Sequence, residues 1–174
     1  MIVENFTYLT YLLQCYNAPD LKSICKEYGI KGYSSLKKQE LIHFIVDSLS
    51  EEEIREFIEE HEQEILDKEF NIALSIIRKS TPEKLIFLKV INQKLGELEV
   101  KFKGLKWETV CYIGINKDNL DTPEWDCDCS IGSNHGFCRH FWTLFLFSLK
   151  KSFFELEDWK LTKVPTNLAQ IISI

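Results

Sequence analysis

The sequence is poor in residues that break or loosen a chain. Only 7 Gly and 4 Pro occur among 174 residues, which excludes collagen-like and low-complexity architectures. It also lacks a long apolar run: the longest reach about a dozen residues and carry polar breaks, well short of the ~20 that span a bilayer. Met1 to Asn17 has no basic start, continuous apolar centre or small-residue cleavage site of a secretory signal, so the expected location is the cytoplasm or nucleoid. No phosphate-binding glycine loop, no H-E-x-x-H helix and no nucleophile elbow is present. What remains is ordinary globular material, 45% hydrophobic, 28% charged and 13% aromatic, enough for one domain or two small ones.

Basic residues are the minority, 21 against 27 acids, for a net charge of −6. The excess is local. Residues 1–49 carry five acids and five bases, residues 50–70 ten acids and two bases, and residues 71–174 twelve acids and fourteen bases. One short segment holds all the surplus negative charge, and whole-chain pI is therefore a poor guide to partners.

The first section reads as short helices. Phe6, Leu9, Leu13 and Tyr16 stand at helical spacing, Pro19 suits a first helical position, and Leu21, Ile24, Cys25 and Tyr28 form the next stripe, which Gly29 stops. Ile30 to Leu36 has no helical period and is expected to be an extended loop. Helical spacing resumes from Lys37 to Leu49. Ser50 followed by Glu53 makes a capping box, and the helix it starts can run to about Lys79. Its acidic run is expected to be the solvated face of a connecting helix, with His61 packed or half-buried on the apolar stripe.

After Thr81-Pro82 the period changes. Leu85–Ile91, Glu97–Lys103 and Lys106–Ile115 are rich in β-branched and aromatic residues. In the middle run Leu98, Val100 and Phe102 alternate with Glu97, Glu99, Lys101 and Lys103. Gly96 and Gly104 punctuate the turns of a small antiparallel meander. A loop from Asn116 to Glu124 follows, and Cys138 to Lys150 then reads as a helix apolar nearly all round, hence buried. A last helical turn can follow Pro165. Cys111, in a strand, is most simply a small buried hydrophobe. Trp107 and Tyr112 can stack on bases or fill the core, and His43 has no evident partner.

The pattern that carries chemistry is Trp125-Asp126-Cys127-Asp128-Cys129, eight residues, then Cys138-Arg139-His140. Three thiolates and an imidazole suit tetrahedral Zn²⁺, with Zn–S near ~2.3 Å and Zn–N near ~2.0 Å. Cys127 and Cys129 on an extended segment point to opposite faces, so that strand must end in a tight turn. Gly132 and Gly136 allow the chain to fold back. Asp126, Asp128 and His135 are the alternative ligands. Four protein ligands close the shell, whereas catalytic zinc keeps an open water position, so the ion is expected to be structural and the protein not an enzyme.

Cys127-x-Cys129-x₈-Cys138-x-His140, preceded by strands and followed by an apolar helix, resembles the SWIM-type zinc finger over about residues 85–150. It differs at Ser130, where that family often has Pro, and at Arg139, where it often has Lys. The resemblance implies DNA or protein partners. A second stretch, Asp20-Leu21-Lys22-x-Ile24-Cys25-Lys26-x-Tyr28-Gly29-Ile30-Lys31-Gly32-Tyr33-Ser34-x-Leu36-Lys37-Lys38-x-Glu40-Leu41-Ile42, resembles the SAP and Rho-amino-terminal helix–extended loop–helix motif. There the loop and the start of the second helix contact nucleic-acid backbone. Lys31, Lys37 and Lys38, with the amides of a helix start, are the matching anion site.

The expected fold is therefore α+β: a SAP/Rho-N-like helical module at 1–49, a long acidic connecting helix at 50–80, and a SWIM-like zinc module at 81–174. The last comprises an antiparallel meander and a buried carboxy-terminal helix. The expected function is a non-enzymatic zinc-binding protein that binds DNA or accompanies it as an accessory factor. The alternative is an adaptor whose zinc module docks on a protein such as a recombinase. No membrane and no small-molecule substrate are expected.

Overall fold

The structure, a computed structural model, describes residues 2–79, 86–92, 97–103, 108–114, 124–132, 137–152, 155–156 and 164–168. Among them are five helices and one four-stranded antiparallel sheet, an α+β fold. The helices are α1 (Ile2–Gln14), α2 (Ala18–Glu27), α3 (Lys38–Ser48), α4 (Glu51–Lys79) and α5 (Arg139–Lys150). The strands are β1 (Ile86–Asn92), β2 (Glu97–Lys103), β3 (Glu108–Gly114) and β4 (Glu124–Cys127). Thr81-Pro82, the turns at Gly96 and Gly104, Trp107, His135 and Gly136 lie outside the described residues, as does most of the Asn116–Glu124 loop. By packing the chain forms two compact units, Met1–Ile65 and Leu66–Ser133 with Phe137–Ile174, and the division falls inside α4.

Local chemistry sets the helix ends of the first unit. The Asn17 side chain accepts a hydrogen bond from the Asp20 amide at 2.9 Å, and Pro19 occupies the first turn of α2. At the other end Gly29 takes φ +66°, the Gly29 amide donates to Lys26 O (3.2 Å) and the Ile30 amide to Cys25 O (2.8 Å). This pair of bonds needs a left-handed residue, which is why glycine stands there. The Ser50 amide donates to Glu53 Oε2 at 2.8 Å and the Glu53 amide to Ser50 Oγ at 3.3 Å, closing the box that starts α4. Leu9, Leu12, Leu13, Leu21, Cys25, Leu41, Ile42, Ile45 and Phe57 are fully buried and form the core where α1 and α2 pack on α3. His61 is half-buried, 4.4 Å from the Phe57 ring and with Nδ1 3.4 Å from the Tyr16 hydroxyl.

In the second unit the sheet runs β1-β2-β3-β4, each strand antiparallel to the next. The register sets Ile86, Leu88 and Val90 opposite Phe102, Val100 and Leu98. The extended segment expected to carry Cys127 joins the meander as a fourth strand: β4 is only four residues long, pairs with β3 and ends at Cys127. Helix α5 packs on β3 and β4, with every residue from Phe141 to Ser148 buried. Trp142 meets Phe70 of α4 edge-on at 5.4 Å, and Phe141 stacks on Phe137 at 4.2 Å.

The acidic run of α4 is a solvated face only in part. Glu51, Glu52, Glu56, Glu59, Glu60 and Glu64 are exposed, but Glu69 is fully buried. Its carboxylate accepts from Arg139 at the start of α5. Spacing explains the difference: Glu69 stands four residues after Ile65 and four before Ala73, on the buried stripe.

Candidate metal centre and lysine loop

Each ligand of the metal pattern is presented by a different local device. Cys127 ends β4, and the ladder continues one step beyond it, where the Asp128 amide donates to Val110 O at 3.2 Å. The Val110 amide turns to the Asp128 side chain instead, donating to Oδ1 at 3.0 Å, so Asp128 ends the sheet and is spent in doing so. The chain then turns sharply, bringing the Gly132 amide to Cys129 Sγ at 3.2 Å. This turn presses Gly132 against Cys127: a Cβ on Gly132 would lie 2.6 Å from Cys127 Cβ and 2.9 Å from Cys127 O. Only glycine fits. Cys138 is the N-cap of α5, with Sγ accepting from the Phe141 amide at 3.4 Å. A helix start is a favourable place for a thiolate, because free amides and the positive dipole end face it.

These devices converge. One ligand atom from each of Cys127, Cys129, Cys138 and His140 lies within 4.8 Å of the others, so the four residues stand close enough to hold a metal ion. His140 Nδ1 is 3.8 Å from Cys127 Sγ. A tetrahedral zinc with ordinary bond lengths has an S···N edge of about 3.6 Å, so that edge is nearly of holding length. Cys127 and Cys138 are buried, Cys129 and His140 half-buried. The alternative ligands Asp126 and Asp128 are exposed.

Crowding three sulfurs makes them share protons. Hydrogen bonds from Cys127 and Cys138 hold the Cys129 thiol far below its usual range, aided by the Gly132 amide. Bonding to Cys111 and then to Cys129 pushes Cys127 up, and bonding to Cys127 and Cys129 pushes Cys138 up. Cys127, Cys129 and Cys138 would hold a dication as thiolates, giving up the shared protons.

Arg139, between two of the ligands, is held by Glu69 of α4. The Glu69 carboxylate accepts from the Arg139 backbone amide (2.9 Å), Nε (3.0 Å) and Nη2 (2.7 Å). Both the cysteine–histidine segment and the start of α5 are thereby fixed to α4. Asp67, two residues earlier, accepts from the Thr166 amide and hydroxyl at 2.7 and 2.8 Å.

In the first unit the structure separates the three lysines by role. Lys31 is exposed in the loop after α2, beside Gly32 at φ +91°. Lys37 is exposed at the N-cap of α3, its amide donating to Glu40 Oε2 at 2.7 Å. Lys38 instead directs its ammonium at Gln14 O, 2.7 Å away at the end of α1, where a cation suits the helix dipole. Lys22 donates to Ser34 O at 2.6 Å and so ties the loop to α2. The Tyr28 phenol, next to Gly29, is pushed up by burial and then by Glu60, Glu27, Glu56 and Glu53, so the acids of α4 act close to this loop.

Sequence reasoning placed Cys111 correctly as a buried strand residue but did not see its partner, and it missed Glu69. Cys111 pairs with Cys127 across the β3–β4 ladder, which no spacing within one strand reveals. Glu69 had a visible signal, its place on the apolar stripe of α4.

Residues 13–54 match the family described as the Rho termination factor, N-terminal domain. The match covers α2, the loop, α3 and the start of α4, and supports nucleic-acid association. No curated protein matches the chain. No solved structure matches it either. No helix among the described residues is long and apolar enough to cross a membrane.

Proposed function

We propose that the protein is a non-enzymatic accessory factor of the cytoplasm or nucleoid that associates with nucleic acid, DNA first, through its first unit, and carries one structural Zn²⁺ on Cys127, Cys129, Cys138 and His140. The observation that carries the nucleic-acid reading is the family match over residues 13–54, with Lys31 and Lys37 exposed on the loop and helix start. Exposed ammonium groups on the loop and at the start of α3 suit a phosphate backbone, which is recognised by charge and without regard to sequence. Zinc is preferred by the donor set: three thiolates and one imidazole around a tetrahedral volume. Such a shell has no open position for water, which is why the ion is assigned a structural role.

The metal unit favours a protein partner over phosphate. Its one arginine near the site is engaged by Glu69, and Asp126 and Asp128 are exposed beside it. The SWIM-like pattern fits an adaptor surface on that unit, working alongside the lysine loop of the other.

The test is fluorescence anisotropy of the full chain on unrelated DNA duplexes across a salt series. Lys31→Glu with Lys37→Glu should weaken binding equally on all sequences and flatten the log–log salt slope by roughly 2 units. Lys38→Gln should leave that slope unchanged. Binding that is insensitive to the double variant, or none at low salt, refutes the nucleic-acid reading and leaves the adaptor.

A further inference from the structure

We propose that the Cys111 thiol is the hydrogen-bond donor to the Cys127 sulfur of the metal centre, a positioning residue outside the four ligands; this rests on the metal reading above. Three thiolates and a neutral imidazole around a dication leave one net negative charge in a mostly buried site, and such a charge requires hydrogen-bond donors on the sulfurs. Two of the sulfurs have them. Cys129 Sγ accepts from the Gly132 amide at 3.2 Å, and Cys138 Sγ from the Phe141 amide at 3.4 Å. Among the described residues no backbone amide donates to Cys127 Sγ.

The sheet supplies the missing donor. Cys111 stands directly opposite Cys127 in the β3–β4 register. The neighbouring pair, Val110 and Asp128, is joined by the Asp128 amide donating to Val110 O. In an antiparallel ladder the next pair is then the non-hydrogen-bonded kind, in which backbones approach to about 4.5 Å and side chains lie closest. Cys111 and Cys127 occupy that pair. Cys111 is fully buried, out of reach of water, and as the directly opposite residue its side chain lies on the same face of the sheet as that of Cys127. An S–H is a weak donor, but it adds no charge to the buried site.

The experiment uses the full chain with cobalt(II) as the probe, comparing wild type, Cys111→Ala and Cys111→Ser by absorption spectroscopy and chelator competition. A hydrogen bond on a thiolate stabilises its lone pair, so more energy is needed to move an electron from sulfur to metal. Cys111→Ala should lower metal affinity about 10-fold or more and shift the sulfur-to-cobalt band to lower energy. Cys111→Ser, keeping a stronger donor, should restore affinity and shift the band to higher energy than wild type. Unchanged affinity and spectrum in Cys111→Ala overturn the proposal. So does a Cys111→Ser variant as weak as Cys111→Ala with the same band, which reduces the role to packing, or a loss of one thiolate's band intensity, which makes Cys111 a ligand. If Cys111→Ala fails to fold, the band position of Cys111→Ser against wild type decides, and no shift overturns it. A wild-type chain that gives no cobalt–thiolate band removes the metal reading itself, and this inference with it.

Discussion

Glu69→Ala tests how the metal segment is held. Glu69 is fully buried and receives three hydrogen bonds, from the Arg139 amide at 2.9 Å, Nε at 3.0 Å and Nη2 at 2.7 Å. Removing one partner of a buried ion pair costs about 3–5 kcal/mol when the other charge stays buried. The Arg139 side chain is 34% exposed, so its guanidinium can turn partly to water and the charge cost falls toward the lower end. The backbone amide at the start of α5 cannot follow it, and an unsatisfied amide adds about 1–3 kcal/mol. The expected loss is about 4 kcal/mol, on the order of 1,000-fold in the folded-to-unfolded ratio. Tryptophan fluorescence during urea unfolding of the zinc-loaded chain reads this selectively, because Trp107, Trp125, Trp142 and Trp159 all follow Leu66. Glu69→Gln keeps one acceptor oxygen but loses the charge, and should fall between wild type and Glu69→Ala. Equal midpoints for Glu69→Ala and wild type refute the reasoning, and equal losses for the two variants refute the part assigned to charge.

Cys129→Ser removes the half-buried thiolate, so zinc content should fall below one per chain by elemental analysis and tryptophan emission should move to the red, while residues 1–65 keep their helical circular dichroism. Gly132→Ala places a methyl 2.6 Å from Cys127 Cβ, and should cost about 1–3 kcal/mol of unfolding free energy together with metal affinity. Burial and then Glu64 push the Tyr16 phenol from 10.0 up to about 12. A proton held more tightly in the folded state gives stability that is complete below pH 10 and lost as pH rises toward 12. Alkaline unfolding followed by circular dichroism should show this slope, and Tyr16→Phe should reduce it.

Much of the molecule was legible because the deciding interactions are local. Pro19, Gly29, Ser50 and Glu53 announce helix ends through local geometry and bonds that span only a few residues, and the structure contains them. The metal pattern was legible for a similar reason: Cys127 with Cys129 and Cys138 with His140 are each close in sequence, and chemistry of type identifies the set. What escaped depends on pairing between distant segments. The fourth strand is four residues long and gains its identity from β3, not from a period of its own. Cys111 looked like any small core residue until the β3–β4 register set it against Cys127. The lysines looked alike because sequence shows charge without direction, whereas the ammonium of Lys38 is turned to α1.

The negative charge of α4 has two functions divided along one helix. In its first part the apolar positions Ile54 and Phe57 enter the core of the first unit, while Glu56, Glu59 and Glu60 stay in solvent. Glu53, Glu56 and Glu60 also raise the proton affinity of Tyr28, so their field reaches the residue that precedes Gly29 and the loop of Lys31. A phosphate approaching Lys31 meets that repulsion too, and at physiological ionic strength it is screened over about 8 Å. On the proposed reading these acids weaken association of phosphate with this loop, and binding depends on contacts beyond two lysines. In the second part the acids are anchors: Asp67 holds Thr166, and Glu69 holds Arg139 between Cys138 and His140. The same residue type solvates one end of the helix and builds the other, and only the position relative to the apolar stripe distinguishes them. On the proposed reading the two activities fall to separate units, a charge-limited contact with nucleic acid in the first and a metal-ordered docking surface in the second.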